Sequence, residues 1–384
     1  MRIAVVMPRG CVMCRDKANS METVVRTLTE PSRLKGEIKI ICDAGAEVPA
    51  AFDLITVPAG LSKSARADAV AAVLRDYDPD YIEYHQQLES SASLARRFPD
   101  KVNVLYRHTR MKPPGGLIDR LRYAARLRPF NRLVFVSQAA HAEFAADYPA
   151  FSDRVSVVCN PIDVEAWRAA PDARENLILF SGRAMQEKGL GEFCEALARV
   201  LDQRPDWRGA LMLGDWERHE AWARPHVEAL TRFGDRVEVH RSASLPQVMA
   251  MTKRAAVAVT PSLVAEAMGL TALEAHAAGA ALISSGRGGL REASGPHAAY
   301  VDPPCGPTLA AAMLDLIDNP GRRVAMARGG QDFVARIHAP ESRARQLDAL
   351  REDLTAEVTQ NRTRPRRRAP ARIFGIRPNP ASIG

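Results

Sequence analysis

Residues 266–279 read EAMGLTALEAHAAG, with two acids, Glu266 and Glu274, placed around a Gly-Leu-Thr turn that opens a helix. The apolar run 256–260 before it reads as a strand ending at Pro261, and Gly279 marks the helix stop. A loop joining strand to helix lies at the carboxyl end of the strand, where open α/β sheets bind ligands. Thr271 and Glu274 spell a capping box, T-x-x-E, which gives Glu274 a purely local task. Glu266 sits before the glycine turn, outside the helix. It is placed beside a positive helix terminus to accept hydrogen bonds from hydroxyls. Gly269 allows the backbone to approach a ligand closely.

Some eighty residues upstream, 180–197 reads FSGRAMQEKGLGEFCEAL. A strand at 177–180 delivers Gly182 and Arg183 at its carboxyl end. Lys188 and Gly189 then precede a helix with the apolar stripe Leu190, Phe193, Leu197 and Val200. Arginine offers a planar fork to phosphate oxygens and lysine a compact charge, so the two suit a diphosphate. The glycine spacing fits neither the dinucleotide fingerprint nor the Walker A pattern.

Around these segments the chain alternates short apolar runs with helical stretches. Strands are expected at 3–7, 38–42, 54–57, 81–84, 102–106, 133–136 and 155–158. The pattern restarts at 177–180, 210–213, 237–240, 256–260, 281–284 and 299–301. Strands alternating with crossover helices make parallel sheets covered on both faces, so the fold class is α/β with two doubly wound domains in tandem. The join falls near CNPIDVEAWRAAPDAREN, where Asn160-Pro161 and Pro171 break the pattern. Residues 341–357 read as a charged helix, with Ala344, Leu347, Leu350 and Leu354 at helical spacing.

Composition narrows the class. The chain has 384 residues, 46% of them hydrophobic, enough for two cores. No apolar run reaches the roughly 18–20 residues of a membrane span, and MRIAVVMPRG enters a strand without a signal-peptide core. A cytoplasmic protein is expected. The net charge of +8 is concentrated in a proline-containing tail, 358–384, with seven arginines and no acid. That tail is expected to be disordered and is a candidate for attraction to an anionic membrane on the inner face. It lacks the aromatic-basic interleaving of nucleic-acid binders. Cys11 and Cys14 form a C-x-x-C without a second pair to complete a zinc site, so reduced thiols are expected. Asp78-Pro-Asp80 has the D-x-D spelling of divalent-ion sites, but Pro79 makes it a turn. Neither a metal nor a cofactor is expected.

The pattern Ser-Gly-Arg-x-x-x-x-Lys-Gly at 181–189, followed by Glu266, Gly269-Leu-Thr and Glu274-Ala, resembles the retaining glycosyltransferases of family 4. The resemblance runs from the first strand to about residue 357 and implies the GT-B architecture, two Rossmann-like domains facing each other across a cleft. Residues 1–165 would be the acceptor domain and 166–340 the nucleotide-sugar donor domain. Residues 341–357 would cross back onto the first domain, and 358–384 would form the basic tail.

By the same resemblance Arg183 and Lys188 would bind the donor diphosphate, Glu266 the sugar and Glu274 the ribose. The backbone of Gly182, Gly269, Leu270 and Thr271 would complete the cradle. His108, in VNVLYRHTRMK, resembles the family's histidine facing the transferred sugar, with His85 in YIEYHQQLE as the alternative. The glycine loop expected near the donor phosphate is reduced to Gly10. The implied activity is transfer of a hexose from a UDP- or GDP-sugar to a saccharide or lipid-linked hydroxyl acceptor with retained configuration. Polysaccharide or lipopolysaccharide biosynthesis is the implied setting. A nucleotide-sugar 2-epimerase and a non-catalytic nucleotide-sugar-binding scaffold are the alternatives on the same architecture.

Overall fold

The computed structural model describes residues 1–13, 20–45 and 52–363, with side chains as far as Gln360. Seven parallel strands form the first sheet: β1 (Ile3–Val6), β2 (Ile38–Asp43), β3 (Asp53–Val57), β4 (Tyr81–His85), β5 (Val102–Arg107), β6 (Arg132–Phe135) and β7 (Val155–Val157). Their spatial order is β3-β2-β1-β4-β5-β6-β7. The second sheet holds β8 (Glu175–Arg183), β9 (Arg208–Gly214), β10 (Val237–Arg241), β11 (Ala255–Thr260), β12 (Ala281–Ser284) and β13 (Ala298–Tyr300), in the order β10-β9-β8-β11-β12-β13. Each expected strand is present, with ends moved by a few residues.

The sequence explains why these strands are central. All four residues of β1, IAVV, and all six of β11, AAVAVT, are buried, the continuous apolar run of a parallel strand covered on both faces. The strand order reverses between β1 and β4 and again between β8 and β11. Each reversal opens a crevice at the carboxyl ends of the strands, where an open α/β sheet binds its ligand.

The chain crosses between lobes twice. The first crossing carries a short helix, Val164–Trp167, whose Val164 and Trp167 are buried. The second begins at His338, whose Nδ1 bonds Asn160 O at 2.9 Å while its own carbonyl accepts from Ile162 N at 3.0 Å. The last helix, Pro340–Thr363, then returns to the first lobe. Ala344, Leu347 and Leu354 are buried there, and Gln346 Nε2 donates to Val157 O at 2.8 Å. This helix is six residues longer than 341–357 at its carboxyl end. The rest of the arginine-rich tail, and Cys14, lie outside the described residues. Cys11 is buried in the loop after β1.

Asp78 and Asp80 behave as a turn. Asp78 caps the helix Lys63–Tyr77 in a left-handed conformation and pairs with Arg2 and Lys101, both at 2.6 Å. Asp80 accepts from Arg2 N at 2.8 Å.

Candidate active site

The second-lobe half of the site is made by two loops pressed together. Gly189 has φ +72°, and a methyl there would overlap the Pro261 carbonyl, so only glycine lets the loop after β8 lie against the loop after β11. Leu263 N donates to Glu187 O at 2.9 Å across the same contact. Lys188 Nζ is thereby brought to Glu266 Oε1 at 2.6 Å, and Ser262 Oγ donates to that oxygen at 2.5 Å. Glu266 therefore already has an ion-pair partner. Its Oε2 accepts no hydrogen bond among the described residues, and Lys188 retains two of its three N–H donors.

Arg183 ends β8 with its side chain exposed. It forms no ion pair with Glu266 and no side-chain hydrogen bond among the described residues. The two basic residues are therefore not equivalent: Lys188 is neutralised by a carboxylate, and Arg183 is the unpaired cation. Gly182 lies beside it in β8, paired in register with Leu213.

The helix Leu270–Ala278 starts at Gly269, which lies against the Leu290 side chain and has φ +97°, a conformation that residues with side chains rarely adopt. Gly269 is the residue before the helix, and Thr271 lies inside it, so the capping box does not form. The N–H groups of Leu270 and Thr271 belong to the first turn, which has no intrahelical acceptors. Glu274, released from capping, instead faces a cavity of about 350 Å³ between the lobes. Opposite it stand Ser20, Thr23 and Arg26 of the helix Ser20–Thr29, with Asp163 and Trp167 of the crossing as a side wall. Burial without an ionic partner pushes the Glu274 carboxyl up to about 7. A larger groove of about 670 Å³ runs along the outer helices of the second lobe, lined by Gln186, Glu192 and Trp222.

The first-lobe half is a chain of buried polar groups. His85 Nε2 lies 2.9 Å from Glu83 Oε1, and His85 Nδ1 lies 2.7 Å from His108 Nε2. Arg351 of the last helix donates to Glu83 Oε2 from Nη2 at 3.0 Å and from Nε at 3.2 Å. Asp348 accepts from Arg351 Nη1 at 3.3 Å and from Ser32 Oγ at 2.7 Å. Burial opposes ionisation of Glu83, but Arg351 and His85 outweigh it and hold the carboxyl down at about 2.

The Glu83 carboxylate can only accept, so His85 donates from Nε2, and one proton is shared between His85 Nδ1 and His108 Nε2. Burial, then the neighbouring His85 and Arg107, push His108 well below its ordinary value, so it is neutral. Its Nδ1 is left buried and without a hydrogen-bond partner. Both candidate histidines are thus in one assembly. His85 is enclosed with both nitrogens engaged, whereas His108 keeps one ring nitrogen, Nδ1, unengaged.

Gln86 is the residue that fixes this arrangement and that the sequence did not flag. It has φ +67°, rare for a side-chain-bearing residue, and its Oε1 accepts from His108 N at 3.1 Å. Gly10 also departs from expectation. Its N–H donates to Asp43 Oδ2 at 2.8 Å, and Arg66 pins Asp43 at 2.5 Å, so that amide is engaged rather than free for a phosphate. Asp43, Arg66, Ser262 and Arg351 carry no local motif, and only tertiary packing shows their part.

The two lobes touch beside the site. Arg110 Nη1 donates to Ala265 O at 3.3 Å, next to Glu266. Glu292 accepts from Gln138 N and Ala139 N, each at 2.7 Å, and so caps a first-lobe helix from the second lobe.

Residues 163–333 match the model of the glycosyl transferases group 1, and residues 21–166 match that of glycosyltransferase family 4. A D-inositol 3-phosphate glycosyltransferase of Thermobispora bispora is 28% identical over 242 residues, 58% of this chain and 56% of that protein. A glycogen synthase of Mycobacterium tuberculosis is 28% identical over 276 residues, 67% of this chain and 64% of that one. The matched region spans only about half to two thirds of these curated relatives. Among solved structures, sucrose-phosphate synthase of Thermosynechococcus elongatus superposes with a TM-score of 0.76 at 20% identity, covering 93% of this chain and all of that one. Anabaena Alr3699/HepE in complex with UDP superposes at 0.75 and 15% identity, over 92% of this chain and 100% of that one. Two abutting family models, two parallel sheets reversing at matched crevices, and these superpositions agree: the chain belongs to the GT-B glycosyltransferases of family 4, group 1 type.

Proposed function

We propose that this chain is a glycosyltransferase that moves a hexose from a UDP- or GDP-sugar to a hydroxyl acceptor with retention of anomeric configuration. The observation that carries this reading is the Lys188–Glu266 pair at 2.6 Å, with the unpaired Arg183 ending β8 at the β8/β11 reversal. A cation, a half-used carboxylate and the first N–H groups of a helix suit a diphosphate joined to a sugar. In this reading Arg183, Lys188 and the amides of Leu270 and Thr271 take the diphosphate. Glu266 Oε2 accepts from a sugar hydroxyl, His108 Nδ1 hydrogen-bonds another, and Glu274 binds the ribose.

The transfer is a front-face displacement. The acceptor oxygen bonds to the anomeric carbon as the carbon–oxygen bond to the diphosphate breaks, and the acceptor proton passes to the departing diphosphate oxygen. Cations fixed before reaction stabilise the negative charge that grows on that leaving group. The structure of Anabaena Alr3699/HepE with UDP supports a nucleotide in such a cleft. A glycan of the cell envelope, polysaccharide or lipopolysaccharide, is the proposed acceptor class.

The test is incubation of purified protein with UDP- and GDP-hexoses and candidate glycan acceptors, with anomeric configuration read by NMR. Acceptor-dependent release of nucleoside diphosphate with a retained linkage is expected. An inverted product, or release of free epimerised sugar without acceptor, would refute the proposal.

A further inference from the structure

The helix Leu117–Leu127, LIDRLRYAARL, presents its apolar residues outward. Leu117 is 72% exposed, Ile118 75% and Leu121 63%, and these are the three most exposed large apolar side chains among the described residues. At 100° per residue Leu117, Ile118, Leu121 and Ala125 form one stripe, and Leu127, the buried residue of this helix, points the other way. The helix is not frayed. Leu127 and Phe130 anchor its end in the core, Arg96 Nη2 donates to Ala125 O at 2.8 Å, and Arg126 pairs with Glu89 at 3.3 Å. An apolar stripe held rigidly toward solvent is costly unless another phase covers it.

Charge identifies that phase. Residues 110–128 contain six basic side chains, of which Arg110 pairs with Glu143, Arg122 with Asp119 and Arg126 with Glu89, leaving Lys112, Arg120 and Arg128 without an ion pair among the described residues. Two copies of so basic a face repel, which disfavours self-association, whereas anionic lipid headgroups attract it. The position is also apt. The same segment leaves the site at His108, and Arg110 bonds the loop of Glu266, where Val264 is a further exposed apolar residue at 43%. Among the described residues no helix is long and apolar enough to cross a membrane.

We infer that the helix Leu117–Leu127 docks this protein on an anionic bilayer surface, with Leu117, Ile118 and Leu121 entering the acyl boundary and the flanking arginines at the headgroups. This opens the candidate cleft toward the membrane and assigns the contact to the first lobe rather than to the arginine-rich tail. It does not depend on sugar transfer, since vesicle binding needs no turnover.

The test is co-sedimentation of the full chain with vesicles of phosphatidylcholine and phosphatidylglycerol, 7:3, against phosphatidylcholine alone. The wild type is compared with the triple variant Leu117→Ser, Ile118→Ser, Leu121→Ser, and with a chain ending at Thr363. The three side chains are exposed, so circular dichroism and melting temperature should match the wild type. Wild type and shortened chain should bind the anionic vesicles, and the triple variant should lose at least about tenfold in partitioning. Undiminished binding by the triple variant, no binding by wild type, or loss of binding only in the shortened chain would overturn the proposal. So would a wild-type dimer in sedimentation velocity that the triple variant converts to monomer without vesicle binding.

Discussion

Arg351, on the helix that closes the chain, forms a buried ion pair with Glu83 in β4, Nη2 to Oε2 3.0 Å, directly beneath the paired histidines. Removing one partner of such a pair leaves an uncompensated charge, typically at a cost of about 3–5 kcal/mol. Arg351→Met should therefore lower unfolding stability by that order in denaturant titrations. The Glu83 carboxyl is depressed from 4.5 to about 2, so its stabilisation is present above about pH 4.5 and is lost as pH falls toward 2. The variant should unfold at higher pH than wild type during acid titration. Coincident acid transitions would show that the pair contributes nothing.

His85 and His108 should separate in their effects. His85→Ala leaves Glu83 Oε1 without its partner and should destabilise the fold by at least about 1–3 kcal/mol. His108→Ala removes the unengaged ring nitrogen Nδ1 and should cut kcat/KM about tenfold to a hundredfold, with a smaller change in melting temperature. Wild-type kinetics in His108→Ala would remove this residue from the site.

Glu274 should impose a pH dependence of the opposite sign to Glu83. Its carboxyl is raised from 4.5 to about 7, so the folded state binds the extra proton and stability declines as pH rises through that window. Glu274→Gln should melt at the wild-type temperature near pH 4.5 and above it at pH 8. The gap should be about 1–2 kcal/mol after allowing for solvent in the open cavity. Parallel melting curves from pH 4.5 to 8 would contradict this.

Glu292 caps the helix Gln138–Asp147 from the opposite lobe through two bonds of 2.7 Å. Glu292→Ala should cost about 0.5–2 kcal/mol and loosen the lobes. Small-angle scattering would register this as a larger radius of gyration, and an unchanged curve would mean the cap does not hold the lobes together.

Much of this was legible because parallel strands are buried on both faces and stand out as short apolar runs. The strand ends also place Arg183, Glu266, His85 and His108 at or near the chain reversals without reference to any partner. The long-range pairing was not legible. Nothing local to Arg351 or Glu83 announces a contact across 268 positions, and Gln86 looks like an ordinary polar residue until its left-handed backbone is seen. Thr271 and Glu274 misled in the other direction: the T-x-x-E spelling is that of a cap, but Gly269 starts the helix two residues earlier.

Donor binding is read by calorimetric titration of the protein with UDP-hexose and GDP-hexose, repeated with Arg183→Ala and Lys188→Ala. Saturable binding of at least one donor by wild type is expected, with a loss of about tenfold or more in each variant, consistent with a lost charge-assisted contact. Arg183→Ala should melt as wild type does, because that side chain is exposed and unpaired. Failure of every nucleotide sugar to bind at millimolar concentration, or equal affinity in folded Arg183→Ala, would contradict the proposed donor site.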